Sequence, residues 1–142
     1  MKSRRFWLAV LASGVAMNVV DYIFQAMIMT DMYYSKHADV FDATTNPLWF
    51  VLADFIAVLV LAWVYDKVAA SFRSGWRGGA IYGFYAGVLV NFPTWIILHL
   101  YLKGFSYKYA WFSTFYGIVW TIIAAAIIGT LYKKGQTAPA NV

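Results

Sequence analysis

Long apolar stretches alternate with short polar ones along the chain, and four of the apolar stretches reach the length that a bilayer requires. A span needs about 20 mostly apolar residues, and backbone groups in lipid must bond within their own segment, so these stretches are predicted to be helices. The period-two alternation of a membrane barrel strand is missing. The predicted helices cover residues 6–29, 48–70, 79–102 and 110–132, with a loop at 30–47 and a tail at 133–142.

The pattern therefore predicts an all-α fold, an antiparallel bundle of four transmembrane helices in one membrane domain, 1–142. Composition agrees, because 63% of the residues are hydrophobic and only 12% are charged. Soluble domains sit near 45–50% and about 25%, respectively, and a chain this short must keep much of its surface in water if it is soluble. Cysteine is absent and all six acidic residues are Asp, which excludes disulfides and a cysteine nucleophile.

The first apolar stretch has a second interpretation. KSRR followed by FWLAVLASGVA resembles the basic and apolar regions of a secretory signal peptide. However, the apolar run continues past the possible cleavage site to Met29. This length favours a retained helix over a cleaved signal.

The basic residues predict an orientation. Eight of the eleven Lys and Arg residues flank the termini or connect the second and third helices, whereas three lie on the other side. Cytoplasmic loops carry the excess of Lys and Arg, so both termini are predicted to be cytoplasmic. The net charge of +5 lies at the ends of apolar runs, which favours a lipid bilayer as the partner and argues against nucleic acid.

Two carboxylates interrupt the apolar stretches. Asp21 lies about 12 Å and Asp54 about 9 Å from the outer ends of their helices at helical rise, so both are predicted at similar depth. A carboxylate at the centre of a membrane helix costs about 2.5–3.5 kcal/mol and usually faces the bundle interior. Gly14, Asn18, Asp21 and Gln25 recur at helical spacing and form one stripe.

We therefore expect one polar cluster in the outer half of the bundle. No Lys or Arg is predicted at that depth, so the carboxylates lack a fixed counter-ion. Three states stay open: protonated carboxyls, carboxylates that bind a proton, metal ion or organic cation, and carboxylates reached by water. The predicted cluster consists of Asn18, Asp21, Gln25, Asp54, Asn91, Thr94 and His99, and the fourth helix adds Ser113, Thr114 and Tyr116 at the same depth.

Small residues in the third predicted helix indicate a packing face. Gly79, Gly83 and Gly87 recur every four residues, and glycines let membrane helices approach closely. The face could pack inside the bundle of one chain, or it could join a homo-oligomer or a larger membrane-protein partner. Pro93 removes a backbone donor from the same helix and predicts a kink there.

Catalytic and metal-binding motifs are missing. The sequence has no HExxH, P-loop, GxSxG or CxxCH pattern, so an enzyme is not favoured. Met27, Met29, Met32 and His37 could offer soft ligands to copper, but methionine is also common apolar filler. We predict no metal and no cofactor.

Three features carry a resemblance: MN..D...Q in the first helix, YGFYAG with a later proline in the third, and GTLYKK at the end of the fourth. The pattern resembles small four-helix protein families of the bacterial inner membrane, and it implies that fold and location without an activity. The sequence favours a non-enzymatic accessory or interaction subunit of a membrane assembly. The alternative is an oligomeric carrier or channel-like protein that uses Asp21 and Asp54 for a proton, cation or small solute.

Overall fold

A computed structural model describes residues 3–38, 41 and 46–132. Within these residues the fold is all-α, without strands, and has four helices that are long and apolar enough to cross a membrane. This confirms the predicted all-α class and the four helices, while the predicted tail and part of the 30–47 loop lie outside the described residues. The helices are α1 (Arg4–Asp21, continued by a π-helix at Tyr22–Met29 and a helical turn at Thr30–Met32), α2 (Leu48–Val68), α3 (Trp76–Tyr101) and α4 (Tyr107–Leu131).

The helices run antiparallel in chain order. We call the end where α1 and α3 begin the basic end, and the end where α2 and α4 begin the upper end. α1 packs between α2 and α4, and α3 packs along α4. α2 and α3 touch less, around Tyr82, whose hydroxyl donates to the Leu61 carbonyl at 3.0 Å. α1 and α4 therefore pack closely with their neighbours, whereas the packing between α2 and α3 is sparse.

Polar side chains fix where three of the helices begin. Ser3 precedes α1 and accepts the Phe6 N–H at 3.3 Å, and Ser106 precedes α4 and accepts the Tyr109 N–H at 3.2 Å. These are N-caps, which satisfy backbone donors that the first turn leaves unpaired. Asn46 accepts the Leu48 N–H at 3.0 Å, one residue before Pro47, the N-cap residue of α2.

The glycine face of α3 packs against α4 of the same chain. Gly79, Gly83 and Gly87 are all buried. A Cβ at Gly83 would lie 2.6 Å from the Thr121 carbonyl oxygen, and one at Gly87 would lie 3.0 Å from the Ile118 Cα. Only residues without a side chain permit this distance between the helix backbones, so the packing inside one chain accounts for all three glycines.

A buried carboxylate joins α2 to the end of α4. Asp66 is 5% exposed and accepts a hydrogen bond of 2.6 Å from the Tyr132 hydroxyl. Tyr132 also packs edge-on against Phe6 at the start of α1. Burial, with the hydrogen bond and the negative charge of Asp66, raises the pKa of Tyr132 to about 12. The hydroxyl is therefore a neutral donor near pH 7. Through its hydroxyl and its ring, Tyr132 links the end of α4 to α2 and α1 at the basic end.

Removing this hydroxyl is expected to destabilise the bundle. Tyr132→Phe keeps the ring beside Phe6 but deletes the bond to Asp66, and hydrogen bonds to charged groups contribute about 1.5–3 kcal/mol. Thermal unfolding in detergent measures the loss. Tyr107→Phe is the matched control, because Tyr107 is exposed. Equal melting temperatures for the two variants would contradict a stabilising role for the Tyr132 hydroxyl.

Candidate functional site

Asp21 and Asp54 come together between α1 and α2. Their carboxyl groups are within reach of a side-chain hydrogen bond, and both side chains are partly exposed. Two carboxylates at this distance repel strongly when both are charged, and a proton held between them removes that repulsion. The arrangement can therefore hold one proton, or one cation in its place.

Aromatic donors from α4 complete the surroundings of Asp21. The Tyr116 hydroxyl donates to one carboxylate oxygen, and the Trp120 indole N–H donates to the other at 3.0 Å. Tyr116 and Trp120 are four residues apart, so they lie on one face of α4. Both oxygens of Asp21 thus accept a hydrogen bond from a neutral donor of α4.

Two phenylalanine rings line the same side of the site. Phe24 stacks on Tyr116 with ring centroids 3.8 Å apart, and Phe112 stacks on Phe24 at 5.4 Å. Ring faces attract cations, and the attraction grows when water is excluded. The site therefore combines carboxyl oxygens with aromatic rings, a composition that suits an organic cation better than a bare metal ion.

The helix of Asp21 changes its geometry directly after the carboxylate. Tyr22–Met29 is a π-helix of eight residues, and the Thr30 hydroxyl donates to the Gln25 carbonyl at 3.1 Å near its end. π-helices are rare and occur frequently at functional sites. Here the π-helix carries Phe24 and Gln25, which both contact aromatic residues around the carboxyl pair.

The residues beyond the π-helix form an outer cap. We use this name for Gln25, Tyr34 and Tyr109. The Tyr34 hydroxyl donates to the Gln25 side-chain carbonyl and lies 3.2 Å from the Tyr109 hydroxyl. Tyr109 is two turns nearer the upper end of α4 than Tyr116, about 10 Å at helical rise. The outer cap therefore lies between the carboxyl pair and the upper end.

The other predicted members of the cluster lie elsewhere. Asn18 donates to the Gly14 carbonyl at 2.9 Å, within α1. Asn91 donates to the Gly87 carbonyl at 3.0 Å and contacts Gly117, so it belongs to the packing of α3 on α4. The described contacts of Asn91 are thus with α3 and α4 and not with Asp21 or Asp54.

Thr94 and His99 also make local contacts. Thr94 is exposed and donates to the Val90 carbonyl at 2.6 Å. The neighbouring Leu89 carbonyl receives no helical hydrogen bond from residue 93, because Pro93 has no N–H. His99 Nδ1 lies 2.6 Å from the Phe105 carbonyl oxygen in the α3–α4 connection. Of the predicted residues, the structure therefore brings Asp21, Asp54 and Tyr116 together and places Gln25 beside them.

The methionine-rich segment does not gather its sulfur atoms. Met29 is buried, whereas Met27 and Met32 are exposed. His37 Nδ1 lies 2.9 Å from the Tyr33 carbonyl oxygen, and its ring stacks on Tyr33. Among the described residues no group of three His, Cys, Asp or Glu side chains is placed to hold a metal ion.

Five aromatic residues that surround the carboxyl pair or form the outer cap were not predicted. They are Phe24, Tyr34, Tyr109, Phe112 and Trp120. One signal could have revealed Trp120, because it follows Tyr116 by four residues and lies far from either end of α4. No comparable signal marks Tyr34, since its position depends on the π-helix.

Comparisons of the chain with protein-family models, with curated proteins and with solved structures give no match. The paired carboxyls of Asp21 and Asp54, with their aromatic surroundings, are the feature of the chain that points to a function.

Proposed function

We propose that the chain is an integral membrane protein with four spans and both termini in the cytoplasm of a bacterial cell. Apolar side chains cover much of its surface; Trp49 is 66% exposed and Leu89 is 75% exposed. Exposed apolar patches of this size are rare on soluble monomers. In a bilayer these side chains would contact lipid hydrocarbon instead of water. The orientation follows from the basic residues at the basic end.

Single cysteines test this orientation, because the natural chain has none. Ser35→Cys lies beyond α1 at the upper end, and Ser74→Cys lies between α2 and α3; both serines are exposed. In intact cells a membrane-impermeant maleimide is expected to label Ser35→Cys and to label Ser74→Cys only after lysis. The reverse labelling would overturn the orientation, and equal labelling in intact cells would overturn the membrane topology.

For activity, we propose a carrier that exchanges a proton for an organic cation at Asp21 and Asp54. The observation that supports it is the proximity of two carboxyl groups that interact with each other. Neither Lys nor Arg is among their described hydrogen-bond partners. The proton that the pair holds would leave when a cation arrives, so the net charge at the site is the same in both states. The rings of Phe24, Tyr116 and Trp120 favour a cation with apolar surface.

Proton release on binding tests this exchange in purified protein. Ethidium, a flat aromatic cation, is added to the detergent-solubilised protein in weakly buffered solution with a pH indicator. We expect release of one proton for each ethidium bound, and an affinity that falls about tenfold for each pH unit of acidification when a full proton is exchanged. Absent binding, or binding without proton release, would contradict the proposal.

The outer cap gives a kinetic prediction for the same assay. Tyr34→Phe deletes the hydroxyl that joins Gln25 to Tyr109, and we expect ethidium to bind severalfold faster because the path from the upper end opens. Tyr33→Phe is the matched control, since the Tyr33 hydroxyl contacts Ser106 at 3.0 Å instead. Stopped-flow fluorescence measures both rates. Identical rates in the two variants would show that the outer cap does not limit access.

An accessory subunit is the second candidate function. α2 packs mainly on α1, and its first turns present exposed apolar side chains at Leu48, Trp49 and Phe50. A helix of another membrane protein could pack there, whereas the glycine face of α3 is already covered by α4. Extraction in a gentle detergent followed by native mass spectrometry distinguishes the candidates. A stoichiometric partner of different sequence supports the accessory role, whereas proton exchange by copies of this chain alone supports the carrier.

A further inference from the structure

The basic end carries a strongly charged surface that the proposed exchange does not use. Its described cations are all exposed. Asp66, the acidic residue described at this end, is buried and accepts the Tyr132 hydroxyl. The surface therefore presents positive charge to its surroundings. The described cations are Arg4, Arg5, Lys67, Arg73 and Arg77.

Three of these cations lie in or beside the connection between α2 and α3: Lys67 near the end of α2, Arg73 in the connection, and Arg77 in the first turn of α3. Phe72 turns inward and packs edge-on against Tyr82, with ring centroids 5.8 Å apart. Gly78 lies directly against the Arg73 carbonyl, where any side chain would clash. Gly75 has a φ of 82°, which favours glycine. Arg73 is thus held beside the first turn of α3 by packing on both sides.

Tryptophan rings lie next to the cations of this turn. Lys67 Nζ lies 6.0 Å from the centre of the Trp63 ring, and Arg77 Cζ lies 5.4 Å from that of Trp76. Both rings are more than half exposed. Tryptophan prefers the level of lipid headgroups, with its apolar body toward the acyl chains. The two pairs therefore place positive charge at the height where a phosphodiester group would lie.

We infer that the α2–α3 turn binds the headgroup of an anionic phospholipid through Lys67, Arg73 and Arg77. The phosphate would contact the cations, and the glycerol and upper acyl chains would lie against Trp63 and Trp76. Clusters of basic residues beside a membrane helix attract anionic lipids electrostatically. A zwitterionic lipid offers the same apolar contacts without net charge, so charge selects between the two lipids.

Native mass spectrometry of the detergent-solubilised protein tests this site. Phosphatidylglycerol and phosphatidylcholine with identical acyl chains are titrated in parallel, and we expect wild-type protein to prefer phosphatidylglycerol. Replacing all three cations with glutamine is expected to weaken binding of phosphatidylglycerol at least about tenfold, with phosphatidylcholine unchanged. The variant carries Lys67→Gln, Arg73→Gln and Arg77→Gln.

A matched control removes three cations from the upper end and should keep the preference. It carries Lys36→Gln, Lys103→Gln and Lys108→Gln. Equal loss in both triple variants would overturn the site, as would equal wild-type binding of the two lipids. Displacement of the lipid by inorganic phosphate at equal concentration would indicate a small-anion site instead and would also overturn it.

Salt tests the same inference without any substitution. Raising NaCl from 0.1 M to 0.5 M is expected to remove the wild-type preference for phosphatidylglycerol, because salt screens exposed charges. A preference that survives high salt would contradict electrostatic selection. This arm also serves if the triple variant at the α2–α3 turn does not fold.

Discussion

Exchange of Asp54 for asparagine is expected to abolish uptake of ethidium by proteoliposomes with an acidic interior. In the wild type, a proton would leave the vesicle through the carboxyl pair as the cation enters. Asparagine keeps the size of the side chain but can neither bind a proton at neutral pH nor carry a negative charge. Uptake should then fall to the level of protein-free vesicles, although the fold is kept.

Controls separate this chemistry from folding. Asp31→Asn, at the exposed upper end, is expected to leave uptake at the wild-type level. Asp54→Glu keeps the carboxyl and should retain part of the activity. Asp21→Asn should behave as Asp54→Asn does, because either substitution removes one of the two carboxyls that share the proton in the proposed exchange. If Asp21→Asn and Asp54→Asn both transport normally and melt at the wild-type temperature, the exchange proposal fails.

Gly83→Ala is expected to cause a large loss of stability. The added Cβ would lie 2.6 Å from the Thr121 carbonyl oxygen and 2.8 Å from the Ala125 Cβ. A backbone carbonyl cannot move aside as a flexible side chain can, so α3 must separate from α4. We expect a loss of about 3 kcal/mol, at the upper end of the range for overpacking.

Thermal unfolding in detergent checks this prediction against Val90→Ile. This control also adds one methyl group to α3, but at an exposed position, and it should melt as the wild type does. A melting temperature of Gly83→Ala close to that of Val90→Ile would mean that α3 and α4 are farther apart than described. In that case the glycines would be available to a second chain.

The sequence predicted the features that depend on helix length and periodicity. The four apolar runs form four helices. Asp21 and Asp54 lie close together because they have similar depth on adjacent helices. Depth alone does not give the direction in which a side chain points around its helix axis. Asn91 shows this, since it continues the spacing of Gly79, Gly83 and Gly87 by four residues and so faces α4.

Other parts of the site could not be predicted from pattern. The π-helix at Tyr22–Met29 has no signature in the hydrophobic periodicity, because its residues are almost all apolar. The wider turns of the π-helix nevertheless direct the Gln25 side chain toward Tyr34 and away from the side of α1 that carries Asn18 and Asp21. Trp120 was within reach of sequence reasoning, because its spacing of four from the predicted Tyr116 puts two donors on one face of α4.

The wide turn after Asp21 also sets a register for everything that follows it. An i→i+5 hydrogen bond of a π-helix encloses one more residue than the i→i+4 bond of an α-helix, so each wide turn fits an extra residue into the same rotation. Removing one residue from Tyr22–Met29 and restoring α-helical winding would therefore leave Tyr34 at nearly the same angle around the helix axis. The π-helix thus makes the direction of Tyr34 independent of one residue in the count between it and Asp21.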